Sequence, residues 1–190
     1  MQALNRIVGL VFRPAAEWDL IAAEKTSAGA LLRCYILPLA LLAPLATVIG
    51  MEIFNRSWDP VHGYLVPGER ILATGAASYL GIIASIFTLA AIFAVIAPMF
   101  SAERDYLAAL KVSAYGAIPL MIAGATLVLP VMAIVGMVAL LHTLFLFWLG
   151  VRRVLNVPAG EGAEFVGISM VLFSLVSTLA GAAASALGLL

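Results

Sequence analysis

Residues 71–97 read ILATGAASYLGIIASIFTLAAIFAVIA, a run without a single charged side chain. A bilayer core takes about 20 apolar residues as a helix, so this stretch is long enough to cross one. Four more such stretches lie outward from it, at about residues 34–53, 106–129, 131–150 and 165–189. The composition agrees: 64% of the 190 residues are hydrophobic and 11% charged, at a mean hydropathy of +1.14. A soluble domain carries about a quarter charged residues, and this chain lacks the polar surface to coat a water-soluble globule. Lipid offers backbone groups no partner, which selects helices, and barrel strands would be shorter and alternating. The fold class is therefore an all-α integral membrane protein. Five transmembrane helices occupy residues 27–190, preceded by a short interfacial amphipathic helical segment in residues 1–26.

Charge placement sets the orientation. Arg6, Arg13, Lys25, Arg33, Arg104, Lys111, Arg152 and Arg153 fall on the N-terminal side of five spans, and only Arg56 and Arg70 on the other. The positive-inside rule then puts the N-terminus in the cytoplasm and Leu190 outside. Ten basic and ten acidic residues cancel, so nothing suggests nucleic acid as a partner. Arg13, Glu17 and Asp19 stand where a secretory signal would place small residues for cleavage, and the first segment is expected to remain on the protein.

That segment has its own pattern. Leu4, Ile7, Val8 and Val11 recur at helical spacing and make one apolar face, with Arg6 and Arg13 available to anionic headgroups. Pro14 suits the first turn of a second short helix, where its missing N–H costs nothing; this helix carries Glu17, Trp18, Asp19, Ile21 and Glu24. Thr26 or Ser27 would cap the helix that enters the membrane. The pattern predicts a helical hairpin on the cytoplasmic leaflet, and docking of that hairpin onto the bundle fits equally. The connection from Glu52 to Arg70, with Trp58, Tyr64 and His62, reads as an ordered cap or an ordinary wet loop. Pro130 reads as a tight turn that makes the third and fourth spans an antiparallel pair.

Inside the spans, Pro38, Pro44 and Pro119 each delete a helical hydrogen bond and can kink the chain. Small residues recur every four positions at Ala77, Gly81 and Ser85, at Ser177, Gly181 and Ser185, and at Ala180, Ala184 and Gly188. Such rows let helix backbones approach; they are expected to pack helices within the bundle, with a homodimer seam as the alternative. Cys34, the only cysteine, reads as a small buried hydrophobe. His142 near the middle of the fourth span is either an intramembrane ionisable site or a neutral imidazole bonded to a neighbouring helix. Lys111 should snorkel to the cytoplasmic interface, toward Glu103 and Asp105, with Tyr115 one turn further along the same face. No H-E-x-x-H, G-x-S-x-G, C-x-x-C or phosphate-binding glycine loop occurs, and no cofactor, metal or catalytic residue is expected.

The stretch F-R-P-A-A-E-W-D-L-I-A-A-E (Phe12 to Glu24), followed by Y-I-L-P-L-A (Tyr35 to Ala40), resembles the bacterial branch of the Yip1 family. Y-L-A-A-L-K-V-S-A-Y-G-A-I-P (Tyr106 to Pro119) is similar to that family's most recognisable stretch, and the order of motifs fits along nearly the whole chain. The resemblance implies a five-helix membrane bundle with a cytoplasmic N-terminus, in a bacterial inner membrane. Eukaryotic relatives are associated with vesicle traffic and bind Rab-type GTPases, a system that a bacterial cell lacks.

Two readings of function follow. The first is a non-enzymatic adaptor or membrane organiser, possible as a homo-oligomer, in which Glu17, Trp18, Glu103, Asp105 and Lys111 form a docking face for an unidentified protein or anionic membrane lipid. The second is a small transporter or lipid-moving conduit, its path lined by Tyr115, His142, Thr143 and Lys111. A membrane enzyme ranks behind both, for want of a convergent nucleophile, acid or metal site.

Overall fold

The computed structural model describes residues 2–56, 67–129 and 132–186. The tight turn expected at Pro130, and the loop residues Trp58, His62 and Tyr64, lie outside the described residues. Among the described residues every regular element is helical. Two short helices, α1 (Gln2–Phe12) and α2 (Pro14–Ala23), form an N-terminal hairpin. Five helices long and apolar enough to cross a membrane follow, at Ala28–Phe54, Gly68–Phe100, Tyr106–Val128, Ile134–Val154 and Gly162–Ala186.

Caps and prolines set the limits of these spans. The first span begins six residues earlier than hydropathy suggests because Ser27 caps it, its Oγ accepting from the Ala30 N–H at 3.2 Å. The fourth runs past the apolar stretch to Val154, where Arg152 and Arg153 in its last turn complement the helix dipole. The prolines act where expected. Around Pro38 the first span widens into a π-turn over Leu32–Ile36 and breaks again at Leu41, between Pro38 and Pro44. The third span breaks at Ala117, two residues before Pro119, and tightens to a 3-10 turn over Gly124–Val128.

The third span is the axis of the bundle. Of its most apolar window 67% is buried, against 17% for the fifth span, which lies at the edge. Phe93, Phe100, Phe147 and Phe165 interlock around it at ring separations of 5.2–5.6 Å. Close approach of backbones depends on glycines other than the expected rows. A Cβ at Gly50 would meet the Val128 carbonyl at 2.9 Å, and one at Gly124 would meet the Ala43 Cβ at 2.5 Å. By contrast, Gly81 and Gly181 have open space where a Cβ would stand. Ala77, Ser177 and Ser185 of the rows centred on them are exposed as well, while Ser85 turns to the cavity inside the bundle; close helix approach here is set by where the kinked first and third spans cross. Cys34 is likewise exposed on the first span and not buried; a small thiol suits an apolar outer surface as well as a core.

The hairpin packs against the fourth span through α2, and α1 packs on α2. Leu10, Trp18 and Ile21 are buried on its inner side, while Leu4, Val8 and Phe12 form an outward apolar row. The face expected from Leu4, Ile7, Val8 and Val11 is thus divided, since Leu10 and Ile7 supply the inward contacts and Leu4 and Val8 turn out.

Candidate functional site

The polar residues at the hairpin end of the molecule hold the hairpin to the bundle. Arg6 bridges the two hairpin helices, pairing with Glu17 at 2.7 Å and with Glu24. Burial opposes its charge, but the carboxylates of Glu24 and Glu17 outweigh that and hold its pKa above the ordinary value. The guanidinium therefore stays charged at any accessible pH. Asp19 pairs with Arg153 at the end of the fourth span. Lys111 is 9% exposed and its Nζ donates to the carbonyls of Glu24 at 2.5 Å and Ile21 at 3.5 Å. Those carbonyls end α2, where the helix leaves acceptors unpaired and its dipole favours a cation. Lys111 thus caps α2, and does not turn toward Glu103 and Asp105 as expected from sequence.

Trp18 is the centre of the seam, with no exposed surface. Its ring meets Tyr115 edge-on at 6.5 Å, and Tyr115 meets Tyr35 at 4.9 Å. A Cβ at Gly150 would come within 2.8 Å of the indole, so the fourth span must carry glycine there for the tryptophan to seat. Deeper in the bundle, His142 Nε2 lies 3.4 Å from the Leu10 carbonyl. The helical partner of that carbonyl would be the N–H of residue 14, which is proline and has none. The imidazole as an Nε2–H donor satisfies an acceptor that apolar surroundings would otherwise leave unpaired. His142 lies roughly 15 Å along the fourth span from Arg152, at about 1.5 Å per residue. The hairpin tip therefore stands well down the helix and does not lie across its end.

The five residues expected to form one docking face are consequently divided. Trp18 and Lys111 face inward and Glu17 is ion-paired to Arg6, because the hairpin folds onto the bundle. Glu103 and Asp105 remain exposed, in the turn between the second and third spans. Asp105 caps the third span, its Oδ1 accepting from the N–H groups of Leu107 at 2.8 Å and Ala108 at 3.1 Å. Replacing Asp105 with Ala should cost about 1 kcal/mol, and Asp105→Ser only a few tenths; unfolding in detergent measures both. Of the cations that the charge count places on this side, Arg13, Lys25, Arg33 and Arg104 are exposed and make no ion pair among the described residues. Sequence reasoning missed Gly150, whose only signal in the sequence is a glycine two residues before a double arginine.

Of the residues expected to line a path, Lys111, Tyr115 and His142 sit in the hairpin seam. Only Thr143 lines the cavity inside the bundle, which measures about 420 Å³ and is walled by Ser113, Met121, Gly136, Phe147 and Phe173 among others. The conduit reading loses its lining on this ground. Among the described residues no group of His, Cys, Asp and Glu is arranged to hold a metal ion.

No curated protein and no solved structure matches the chain. A family model does, that of the Yip1 domain, over residues 8–181. That match takes in the hairpin from Val8 onward, the third span with Lys111 and Tyr115, and most of the fifth span. This multi-pass membrane protein, with its N-terminal hairpin built into the bundle, belongs to the Yip1 family.

Proposed function

We propose that the protein is a non-enzymatic membrane adaptor or organiser, which meets a protein partner or anionic lipid headgroups through the end of the bundle that carries the hairpin. We place that end in the cytoplasm of a bacterial cell, with the chain in the inner membrane and Leu190 outside. The eight basic residues in the segments that the five-span order assigns to that side, against two in those of the other, support the orientation.

The observation that carries the reading is the internal use of Arg6, Glu17, Glu24, Asp19, Lys111 and Arg153 as clamps. What they leave outward is a fixed set of charges: Glu103 and Arg104 on one turn, and Lys25 and Arg33 beside the hairpin linker. The Lys111 bond to the Glu24 carbonyl holds that linker at the same end of the bundle as the 101–105 turn. A preorganised surface loses little ordering entropy on binding. Basic side chains near an anionic leaflet each contribute about 1 kcal/mol.

A photoreactive residue placed at Lys25 or Arg104, in native membranes, tests this. We expect a recurrent protein or anionic-lipid adduct at either position, and with the probe at Lys25 that adduct should be lost in the double variant Glu103→Lys with Arg104→Glu. Asp105 is left intact so that the third span keeps its cap. Absence of any recurrent adduct at either position would overturn the reading.

A further inference from the structure

The cavity has no part in the hairpin seam or the charged face. It lies among the second, third, fourth and fifth spans, and Ala43 of the first closes it on one side. It extends from Ser113 and Phe147 to Gly124, Leu127 and Gly136, in the direction away from the hairpin. Leu120, Leu127 and Leu140 on its lining are also exposed, at 40%, 46% and 45%, so it opens sideways through apolar side chains. At that level only bilayer surrounds the spans.

Its walls are almost wholly apolar. Ser113 lines it, but its hydroxyl already donates to the Ile86 carbonyl at 2.7 Å. Thr143 is 2% exposed and its hydroxyl has no partner. A stable buried water wants two to four polar partners, and an apolar cavity without them stays dry but admits hydrocarbon. Gly136 adds the room, since a Cβ there would meet nothing within 4 Å. We propose that this cavity binds an acyl chain of a phospholipid from the leaflet farther from the hairpin. The chain passes between Leu127 and Leu140 and ends against Ser113 and Phe147, held by shape and apolar contact.

The test uses the full chain in nanodiscs of phosphatidylethanolamine and phosphatidylglycerol, doped with a phospholipid that carries a diazirine in its acyl chain. After illumination, adducts are mapped by mass spectrometry. Adducts should concentrate on Met121, Met170 and Phe173, above the level at the outward residues Val171 and Leu179. Gly136→Leu fills the cavity from a position with free space and should lower that labelling by about tenfold, the effect of displacing a few buried methylenes. Met170→Trp, which fills it from the facing span, should reproduce the loss, so the result does not depend on the folding of one variant. Thr143→Val keeps the volume and should leave labelling unchanged.

Labelling that matches the outward residues and ignores both filling variants would overturn the proposal. So would loss of labelling in Thr143→Val, which would mean a ligand held by a hydrogen bond. In a Cys34→Ser background, oxidative coupling of Leu140→Cys to a second copy would also overturn it, and would make the opening a contact between protomers.

Discussion

Trp18→Ala should be the most damaging single truncation in the N-terminal hairpin, with a loss of about 3–5 kcal/mol. The indole is fully buried among Tyr115, the Gly150 backbone and the Val112 side chain, and alanine leaves a hole that none of these can close. The loss is local before it is global. Once the indole is gone, the clamps of Lys111, Asp19 and His142 must hold the hairpin alone, and the pair at Asp19 and Arg153 is surface-exposed and therefore weak. Released from the bundle, Arg6 and Lys25 become trypsin sites, whereas Arg13 precedes Pro14 and is not cut. Limited proteolysis in detergent should show cleavage at these positions in Trp18→Ala and little in the parent. Leu20→Ala, two residues away and 59% exposed, should stay within about 0.5 kcal/mol of the parent. Equal sensitivity of the two variants would count against the buried seam.

Gly124→Leu should be the second severe change, for the opposite reason. A Cβ at Gly124 would stand 2.5 Å from the Ala43 Cβ and 3.1 Å from its Cα, so the obstacle is partly backbone and cannot rotate away. Overpacking of this kind costs about 1–3 kcal/mol, and more where backbones must part. The first and third spans would be forced apart where they cross. Gly81→Leu and Gly181→Leu introduce the same side chain at positions with open space. Both should leave the unfolding midpoint unchanged within error, and the contrast with Gly124→Leu is read in one thermal series. Should Gly81→Leu prove as harmful as Gly124→Leu, the assignment of the packing glycines would be wrong.

Which parts of this molecule were legible in the sequence follows from physics. Hydropathy reports the solvent, and the solvent here is lipid. The five spans therefore appear within a few residues of where apolar runs place them, and Pro14, Ser27 and Pro119 act locally as their chemistry requires. Small-residue spacing reports only that a helix could be approached, not from which side. Gly81 and Gly181 have open space where a Cβ would stand, while Gly50 and Gly124, outside any such row, take the close contacts.

The candidate site was hardest to read, because its residues were judged by their own character and not by their partners. By its own character Trp18 belongs on an outward docking face, and Lys111 is a snorkelling cation. Each is explained by an element distant in sequence: Gly150 makes the pocket for the indole, and the carbonyls that end α2 receive the ammonium. His142 was weighed as an ionisable site or a satisfied imidazole. The feature that places it against the hairpin is the missing N–H of Pro14, more than a hundred residues earlier in the chain. Pairings of that kind become visible only when the helices are brought together.

The claim on which the rest depends is that the hairpin stands along the fourth span, with its tip at His142. The most direct test is cross-linking of Leu10→Cys to His142→Cys in a Cys34→Ser background, in membranes, with a short bifunctional thiol reagent that spans the length of the lost imidazole. The account predicts an intramolecular link joining the peptides that carry positions 10 and 142, with no link when position 142 is replaced by an outward site such as Leu141→Cys. No link at position 142, or equal yields at positions 141 and 142, would mean that the hairpin lies free on the membrane surface, and would contradict the account.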